Sequence, residues 1–230
     1  MEAPSPRVLY EDNHLIAVYK PAGVLTQADV TGDPTLMDEV KYYLKQKYHK
    51  TGKVFLGLLH RLDRNVQGII LFAKTSKGAS RLSEQFRKHS VEKIYTAVVE
   101  GNPPKQKDTL VHWLEKDEKS NKSIVQSSEF IGSQRAELSY EVVKIGRDVV
   151  TGRDLSLLKI RLGTGRSHQI RAQLAYIGCP IVGDVKYGSK KTLPDHAMAL
   201  AATSLSFETA TGGERKNLQV STPKDFNLFK

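Results

Sequence analysis

The order of apolar and polar positions divides the chain into short runs of strand length and three helical segments. Residues 8–10 and 15–19 are predicted to form two short strands joined by a polar turn. Residues 67–73 form a continuous apolar run, which is typical of a strand buried on both faces. Other strands are predicted over residues 94–99, within residues 108–162 and over residues 198–207.

Three segments repeat apolar residues at helical spacing. Residues 35–48 keep one face apolar after an entry at Asp33-Pro34. A second helix follows Ser76, which is the predicted N-cap, and a third covers residues 167–176 and stops before Gly178. The sequence therefore predicts one helix early in the chain, one after the apolar run and a short one later.

Many strands with three separated helices indicate the α+β class, with a mixed, largely antiparallel sheet flanked by a few helices and loops. Turns within the strand-rich region are predicted at Gly132, Gly146 and Thr151-Gly152. No linker rich in Gly, Ser or Pro divides the sequence. We therefore expect residues 1–230 to form a single domain.

Charge points to a polyanionic partner. The 230 residues carry 35 Lys and Arg against 25 Asp and Glu, a formal net charge of +10. A nucleic acid is the commonest polyanion that such a protein meets. The single cysteine, Cys179, excludes an internal disulfide. Neither a signal peptide nor a membrane span is predicted, so we expect a cytoplasmic protein that does not bind membranes.

The segment richest in candidate chemistry is His60–Gly68, directly before the apolar run. Charged groups at the edge of a buried strand are costly to desolvate unless they are paired or used. From spacing alone, a structural ion pair between Arg61 and Asp63 is the simpler interpretation.

The motifs of the chain favour a functional interpretation of this segment over a structural ion pair. His60-Arg61-Leu62-Asp63 with Gly68 resembles the signature loop of the RluA family of pseudouridine synthases. Four further blocks follow the order of that family: Lys20-Pro21-Ala22-Gly23, Lys93-Ile94-Tyr95, Gly165-Arg166-Ser167-His168-Gln169-Ile170-Arg171, and Pro180 through Asp184. Five ordered motifs are far more specific than one. Val66-Gln67 departs from the Thr-Ser pair usual in the family, and Ala201 stands where a histidine is common.

The resemblance implies a fold, a reaction and a set of roles. It implies the pseudouridine synthase fold and the isomerisation of a uridine already in RNA, with Asp63 as the essential catalytic residue. Arg61 would fill the space of the flipped nucleotide and Tyr95 would stack on the base. Arg166 would oppose the effect of burial on the Asp63 carboxylate, although phosphate contact is an equally good role for it.

The same resemblance implies that no redox partner or group donor is needed, so we expect neither a cofactor nor a metal ion. His60, Lys74, His168 and Arg171 are additional candidates for RNA binding. Basic residues on and before the second helix, Lys74, Lys77, Arg81, Arg87 and Lys88, are either a phosphate-tracking surface or a solvated helix face.

The expected partner is a structured RNA, a tRNA or rRNA stem-loop, bound by a monomer. The catalytic domain is expected to stand alone, without the S4-type module of several relatives. Sequence cannot choose the uridine or the way Asp63 acts. The alternative function is a catalytically silent RNA-binding protein with the same fold.

Overall fold

A computed structural model describes residues 5–194 and 197–229. The first four residues belong to the N-terminal segment in which no signal peptide was predicted, and they lie outside the described residues. The chain forms two compact units. The first contains the chain up to Val91 together with Ser204–Val220, and the second contains Glu92–Thr203 and the chain from Ser221 onward.

The first unit is a small β-sheet with a helix against each face. Strand β2 pairs antiparallel with both β1 and β4, and β3 pairs with β4. Its elements are β1 (Arg7–Glu11), β2 (Leu15–Lys20), α1 (Leu36–Lys47), β3 (Gly57–Leu58), β4 (Gln67–Ala73), α2 (Ser76–Arg87), the part of β10 (Leu200–Glu208) from Ser204 onward, and β11 (Arg215–Gln219).

Strand β4 is buried along its whole length because both of its faces are covered. Ile70 and Phe72 pack on the side of α1, and Ile69 and Leu71 pack with Leu82 of α2. This three-layer arrangement explains why the run is continuously apolar rather than alternating, since alternating side chains point to opposite faces of a strand. The prediction of a strand buried on both faces is confirmed.

Both helices of this unit begin at threonines. Thr35 forms a capping box with Asp38 ahead of α1: its hydroxyl accepts from the Asp38 N–H, and the Asp38 carboxylate accepts from the Thr35 N–H. The cap of α2 is Thr75, whose hydroxyl accepts from the Gly78 N–H. The prediction of Ser76 as the cap is therefore wrong by one residue, because the preceding threonine supplies the extended backbone that a cap requires.

The second unit is an antiparallel sheet, with one α-helix among its described residues. Its strands run in the order β5, β9, β8, β6, β7. These are β5 (Glu92–Glu100), β6 (Lys107–Asp117), β7 (Lys122–Gln126), β8 (Gln134–Arg147) and β9 (Asp154–Leu162), followed by α3 (Gln169–Tyr176). Ala172 of α3 packs with Leu114 and Ala136 on this sheet.

The observed elements confirm the α+β class. Three details of the prediction are wrong: Gly146 lies within β8 instead of a turn, and neither β3 nor β11 was predicted. β11 has only one apolar residue in five, Leu218, so it carries little hydrophobic signal. That residues 1–230 act as one domain stays a prediction. In the described part of the chain, no helix has the length and apolar character needed to cross a membrane.

Candidate active site

Asp63 lies in a tight turn directly before β4. The turn closes where the Val66 N–H donates to the Asp63 carbonyl at 3.0 Å. Leu62 and Val66 are buried on either side, whereas Asp63 is half-buried and Arg61 is exposed. Burial of the two apolar neighbours anchors the turn to the core of the first unit and leaves the carboxylate near the surface.

The backbone on both sides of Asp63 is held by the segment that follows β2. On one side, the Thr26 hydroxyl donates to the Leu62 carbonyl at 2.9 Å. On the other, the Arg64 carbonyl accepts from the Gly23 N–H at 2.9 Å and from the Lys20 ammonium at 2.8 Å. These hydrogen bonds fix the backbone that carries the Asp63 side chain, and a catalytic group requires such support.

Lys20 is fully buried, with 0% of its surface exposed, although lysine is among the residues least often buried. Its ammonium donates to three backbone carbonyls, those of Pro21 at 3.0 Å, Val24 at 2.6 Å and Arg64 at 2.8 Å. Burial lowers the pKa of Lys20 to about 7, although the nearby Asp63 carboxylate acts in the opposite direction. The site therefore places a buried cation beside the candidate catalytic carboxylate.

Sequence reasoning missed the part that Lys20 and Thr26 play here. In the sequence, Lys20 stands out only as part of the Lys-Pro-Ala-Gly segment, and nothing singles out Thr26. The available signal was a lysine directly after the apolar run of β2, with Pro21 and Gly23 in the segment that follows. In the structure Gly23 has a positive φ of 82°, which fits a turn there. The partners that tie these two residues to the Asp63 turn, Arg64 for Lys20 and Leu62 for Thr26, lie 44 and 36 residues away along the chain, so the pattern alone could not identify them.

Two candidate RNA-binding residues of the first unit are engaged inside it. His60 Nε2 accepts from the Leu71 N–H at 3.0 Å, and its ring stacks on Phe86 with 5.0 Å between ring centroids. The Lys74 ammonium forms a 2.6 Å ion pair with Glu11 and lies 4.7 Å from the Tyr48 ring centroid. These contacts favour structural roles, because both groups already hold internal partners.

Glu11 is the centre of that second cluster. Burial alone would raise the pKa of its carboxyl, but hydrogen bonds from Lys47, Lys74 and the Tyr48 hydroxyl outweigh burial and lower it to about 2. The carboxylate joins β1 to α1 and to the end of β4. The contacts of Lys74 therefore stabilise the first unit.

Tyr95 and Arg166 belong to the second unit. Tyr95 lies in β5 opposite Ile160 of β9 and is 7% exposed. Arg166 is exposed in the loop before α3, where its Nε donates to the Arg135 carbonyl at 3.1 Å. Its backbone N–H donates to the Gln169 side chain at 3.0 Å. Hydrogen bonds therefore hold both the backbone and the side chain of Arg166.

His168 and Arg171 are also held by internal contacts of the second unit. His168 Nδ1 and the Tyr187 hydroxyl are 3.0 Å apart. Arg171 is buried and makes a bidentate ion pair with Asp184, at 2.7 Å from Nε and 2.9 Å from Nη2. This pairing favours a structural role for Arg171, since a buried fork already occupied by a carboxylate has little capacity for phosphate.

One departure from the family pattern has a structural explanation. Gln67, which stands where a serine is usual, is buried at the start of β4. Its side-chain carbonyl accepts from the Tyr19 hydroxyl at 2.6 Å. The substitution therefore satisfies a polar group on the adjacent strand β2 and leaves the turn of Asp63 intact.

The candidate site residues divide between the two units. His60, Arg61, Asp63 and Lys74 lie in the first unit, and Tyr95, Arg166, His168 and Arg171 lie in the second. Within the described ranges, no group of three or more His, Cys, Asp or Glu side chains is placed to hold a metal ion.

The chain resembles proteins of one family along most of its length. Residues 14–176 match the family described as RNA pseudouridylate synthase. Ribosomal large subunit pseudouridine synthase C of Rickettsia bellii is 32% identical over 96% of this chain and 69% of the relative. The corresponding synthase D of Zymomonas mobilis is 30% identical over 96% and 71%.

A solved structure has the same fold. The human RNA pseudouridylate synthase domain containing 4 superimposes with a TM-score of 0.77 at 22% identity, covering 96% of this chain and 90% of that one. The predicted pseudouridine synthase fold is confirmed. With a family match over 163 residues, 14 to 176, and relatives at 30% identity or more of which the chain covers over two thirds, the chain belongs to the RNA pseudouridylate synthase family of isomerases.

Proposed function

We propose that this protein converts a specific uridine of a tRNA or rRNA stem-loop to pseudouridine, with Asp63 as the essential catalytic residue. The observation that carries the proposal is the fixed turn of Asp63. Its neighbours Leu62 and Arg64 are held by Thr26, Gly23 and Lys20, and its carboxylate is half-buried beside a buried ammonium. Such rigid support of one carboxylate is what catalysis needs and an ordinary surface loop does not.

The reaction is an internal rearrangement in which atoms balance without a co-substrate. The N1–C1′ bond breaks, the uracil turns over, the C5–C1′ bond forms, and the proton leaves C5 while N1 gains one. A carboxylate in the position of Asp63 can add to the sugar or the base, or take a proton from the ribose. We propose no cofactor and no metal ion, because no electron or group enters the reaction.

We propose substrate-binding roles for three further residues. Arg61, exposed next to the Asp63 turn, fills the space left by the extruded nucleotide, since a guanidinium both stacks and donates hydrogen bonds. Tyr95 stacks on the base. Arg166, exposed and oriented at its backbone and at Nε, binds the substrate through the rest of its guanidinium.

The relatives named for the large ribosomal subunit make its RNA the first substrate to test, with tRNA second. We further propose that the protein acts as a cytoplasmic monomer. The alternative, a silent RNA-binding protein, shares the fold and the charge but requires no fixed carboxylate.

The experiment is an isomerisation assay with purified protein and RNA labelled with tritium at C5 of uridine. Formation of the C5–C1′ bond releases the label to water. We expect release from at least one ribosomal or transfer RNA, and loss of one pseudouridine when RNA from cells lacking the protein is mapped. Binding of RNA without any label release, together with an unchanged pseudouridine map, would support the silent alternative.

A further inference from the structure

A strongly basic stretch of the first unit leads up to the Asp63 turn. Residues 40–62 contain five lysines, one arginine and two histidines, and no aspartate or glutamate. The stretch runs from α1 through a polar loop into β3 and then reaches Asp63. Such a long segment with one sign of charge attracts a polyanion wherever its side chains are not compensated by the fold.

Part of this stretch forms a surface groove, here called the Tyr42 groove. Its lining consists of Lys41, Tyr42 and Lys45 from α1 and residues 51–54 from the following loop. Lys41 and Lys45 are one helical turn apart and therefore share a face. Lys53 approaches from the loop, so three ammonium groups surround one concave surface that has no acidic residue in its lining.

The fold leaves these three lysines uncompensated. Within residues 5–194 and 197–229, no ion pair is formed by Lys41, Lys45 or Lys53, whereas Lys47 and Lys74 pair with Glu11. The nearest acidic residue on the same helix face, Asp38, directs its carboxylate to the Thr35 cap. Many other surface cations have carboxylate partners, including Lys88, Lys105, Lys107 and Lys116.

The groove also contains an exposed aromatic ring. Tyr42 is 49% exposed, while Tyr43, next to it on α1, is bonded to Glu11. An exposed ring among uncompensated lysines is the combination used by surfaces that bind single-stranded nucleic acid, with bases stacked on the ring and phosphates near the cations. A surface for an acidic peptide would not require the ring.

We propose that the Tyr42 groove binds an unpaired stretch of the substrate RNA, with phosphates on Lys41, Lys45 and Lys53 and one base stacked on Tyr42. This inference rests on the proposed function for the identity of the ligand. The Tyr42 groove is then a second region that contacts RNA, besides the Asp63 turn. Residues of α1 therefore contribute to the choice of the RNA that is modified.

The test compares RNA affinity and turnover in a triple variant, Lys41→Gln with Lys45→Gln and Lys53→Gln. We expect its Kd for the isomerised RNA to rise about tenfold or more at 0.1 M salt, with kcat at saturating RNA unchanged. The slope of log K against log salt should fall by about 2, because each lost contact to a single strand removes about 0.7. Tyr42→Ala should weaken binding about 5- to 160-fold.

Two matched variants control for charge and folding. Lys105→Gln with Lys107→Gln and Lys116→Gln removes the same charge from paired, exposed lysines and should leave Kd within about twofold. Lys41→Arg with Lys45→Arg and Lys53→Arg keeps the charge and should bind as the unaltered protein does. Equal weakening by both glutamine triples would overturn the proposal, as would no weakening by the groove triple.

The outcome is separable from that of the proposed function. If the unaltered protein released no label from any RNA, the proposed function would fail, yet Kd values measured with the ribosomal and transfer RNAs of the assay would still test the groove. If the unaltered protein isomerised its RNA and the groove triple bound and turned over that RNA normally, only the groove proposal would fail.

Discussion

The Lys20 ammonium donates a 2.8 Å hydrogen bond to the backbone carbonyl of Arg64. Through this bond the end of β2 holds the residue that follows Asp63. The same ammonium also bonds Pro21 and Val24, so one buried cation joins the turn after β2 to the turn before β4. We regard Lys20 as a positioning residue for Asp63.

Replacing Lys20 by methionine should impair both stability and turnover. The carbonyls of Pro21 and Val24 lose the Lys20 donor, and that of Arg64 keeps only the Gly23 N–H. A group left unsatisfied costs about 1–3 kcal/mol, so we expect the free energy of unfolding to fall by about that amount. Displacing a catalytic group by about 1 Å costs about 100-fold in rate, so kcat should fall by about that factor. Urea denaturation and single-turnover label release measure the two effects.

RNA affinity separates positioning from general damage in this variant. The Kd for RNA should stay within about threefold, because Lys20 is buried and has no surface to offer to the substrate. Lys105→Met, which truncates an exposed lysine, is the control and should behave as the unaltered protein does. A Lys20→Met protein with normal kcat would show that the bond to Arg64 is dispensable.

The low pKa of Lys20 predicts a particular dependence of stability on pH. Folding lowers this pKa from its ordinary 10.5 to about 7, because burial disfavours the charge. Between pH 7 and 10.5 the unfolded chain therefore retains a proton that the folded protein has released. Stability contributed by this group must rise with pH across that window, by up to about 1.4 kcal/mol per pH unit.

The measurement is the difference in unfolding free energy between the unaltered protein and Lys20→Met at several pH values. This difference should be flat below about pH 7 and should grow in favour of the unaltered protein up to about pH 10.5. A difference that does not change with pH would mean that the Lys20 pKa is not lowered by folding.

Glu11 predicts the opposite behaviour at acid pH. Its pKa is lowered to about 2 from an ordinary 4.5, so its contribution to stability is complete above about pH 4.5 and is lost as pH falls toward 2. Glu11→Gln should therefore lose about 2–3 kcal/mol at neutral pH and show a shallower acid transition. Thermal unfolding from pH 2 to 7 measures this, with Glu118→Gln in an exposed pair as the control. Identical acid slopes for the two variants would refute the prediction.

The ion pair of Arg171 with Asp184 predicts a strong penalty for removing one partner. Asp184→Asn leaves a buried guanidinium without its counter-charge, which costs about 3–5 kcal/mol. Adding Arg171→Met should restore part of that loss, because the double variant buries no charge. Chemical denaturation of the two variants gives the comparison. If Arg171→Met instead left stability unchanged and weakened RNA binding, Arg171 would be an RNA contact after all.

Sequence reasoning succeeded where the signal is local. The run of β4 is apolar at consecutive positions because both faces are covered, and no alternative structure accounts for it as well. The caps show the limit of this reasoning. Thr75 and Ser76 are adjacent hydroxyl residues, and only the backbone conformation decides which of them caps α2.

The parts that sequence did not reveal depend on contacts between distant segments. Lys74 and Arg171 were predicted from their charge to bind RNA, but Glu11 and Asp184 are close to them only after folding. Lys20 carries a role that its neighbours in sequence do not indicate, since one of its three carbonyl partners lies 44 residues away. Charge identifies a cation, and the fold decides whether it is available to a ligand.

The most direct test of the central claim concerns Asp63 itself. Asp63→Asn keeps the size of the side chain and the backbone bonds of Leu62, Arg64 and Val66 but removes the negative charge. Single-turnover release of tritium from C5-labelled RNA should fall to the uncatalysed background, while the Kd for RNA and the melting temperature stay close to those of the unaltered protein. Label release by Asp63→Asn at the unaltered rate would contradict the assignment of Asp63 as the catalytic residue.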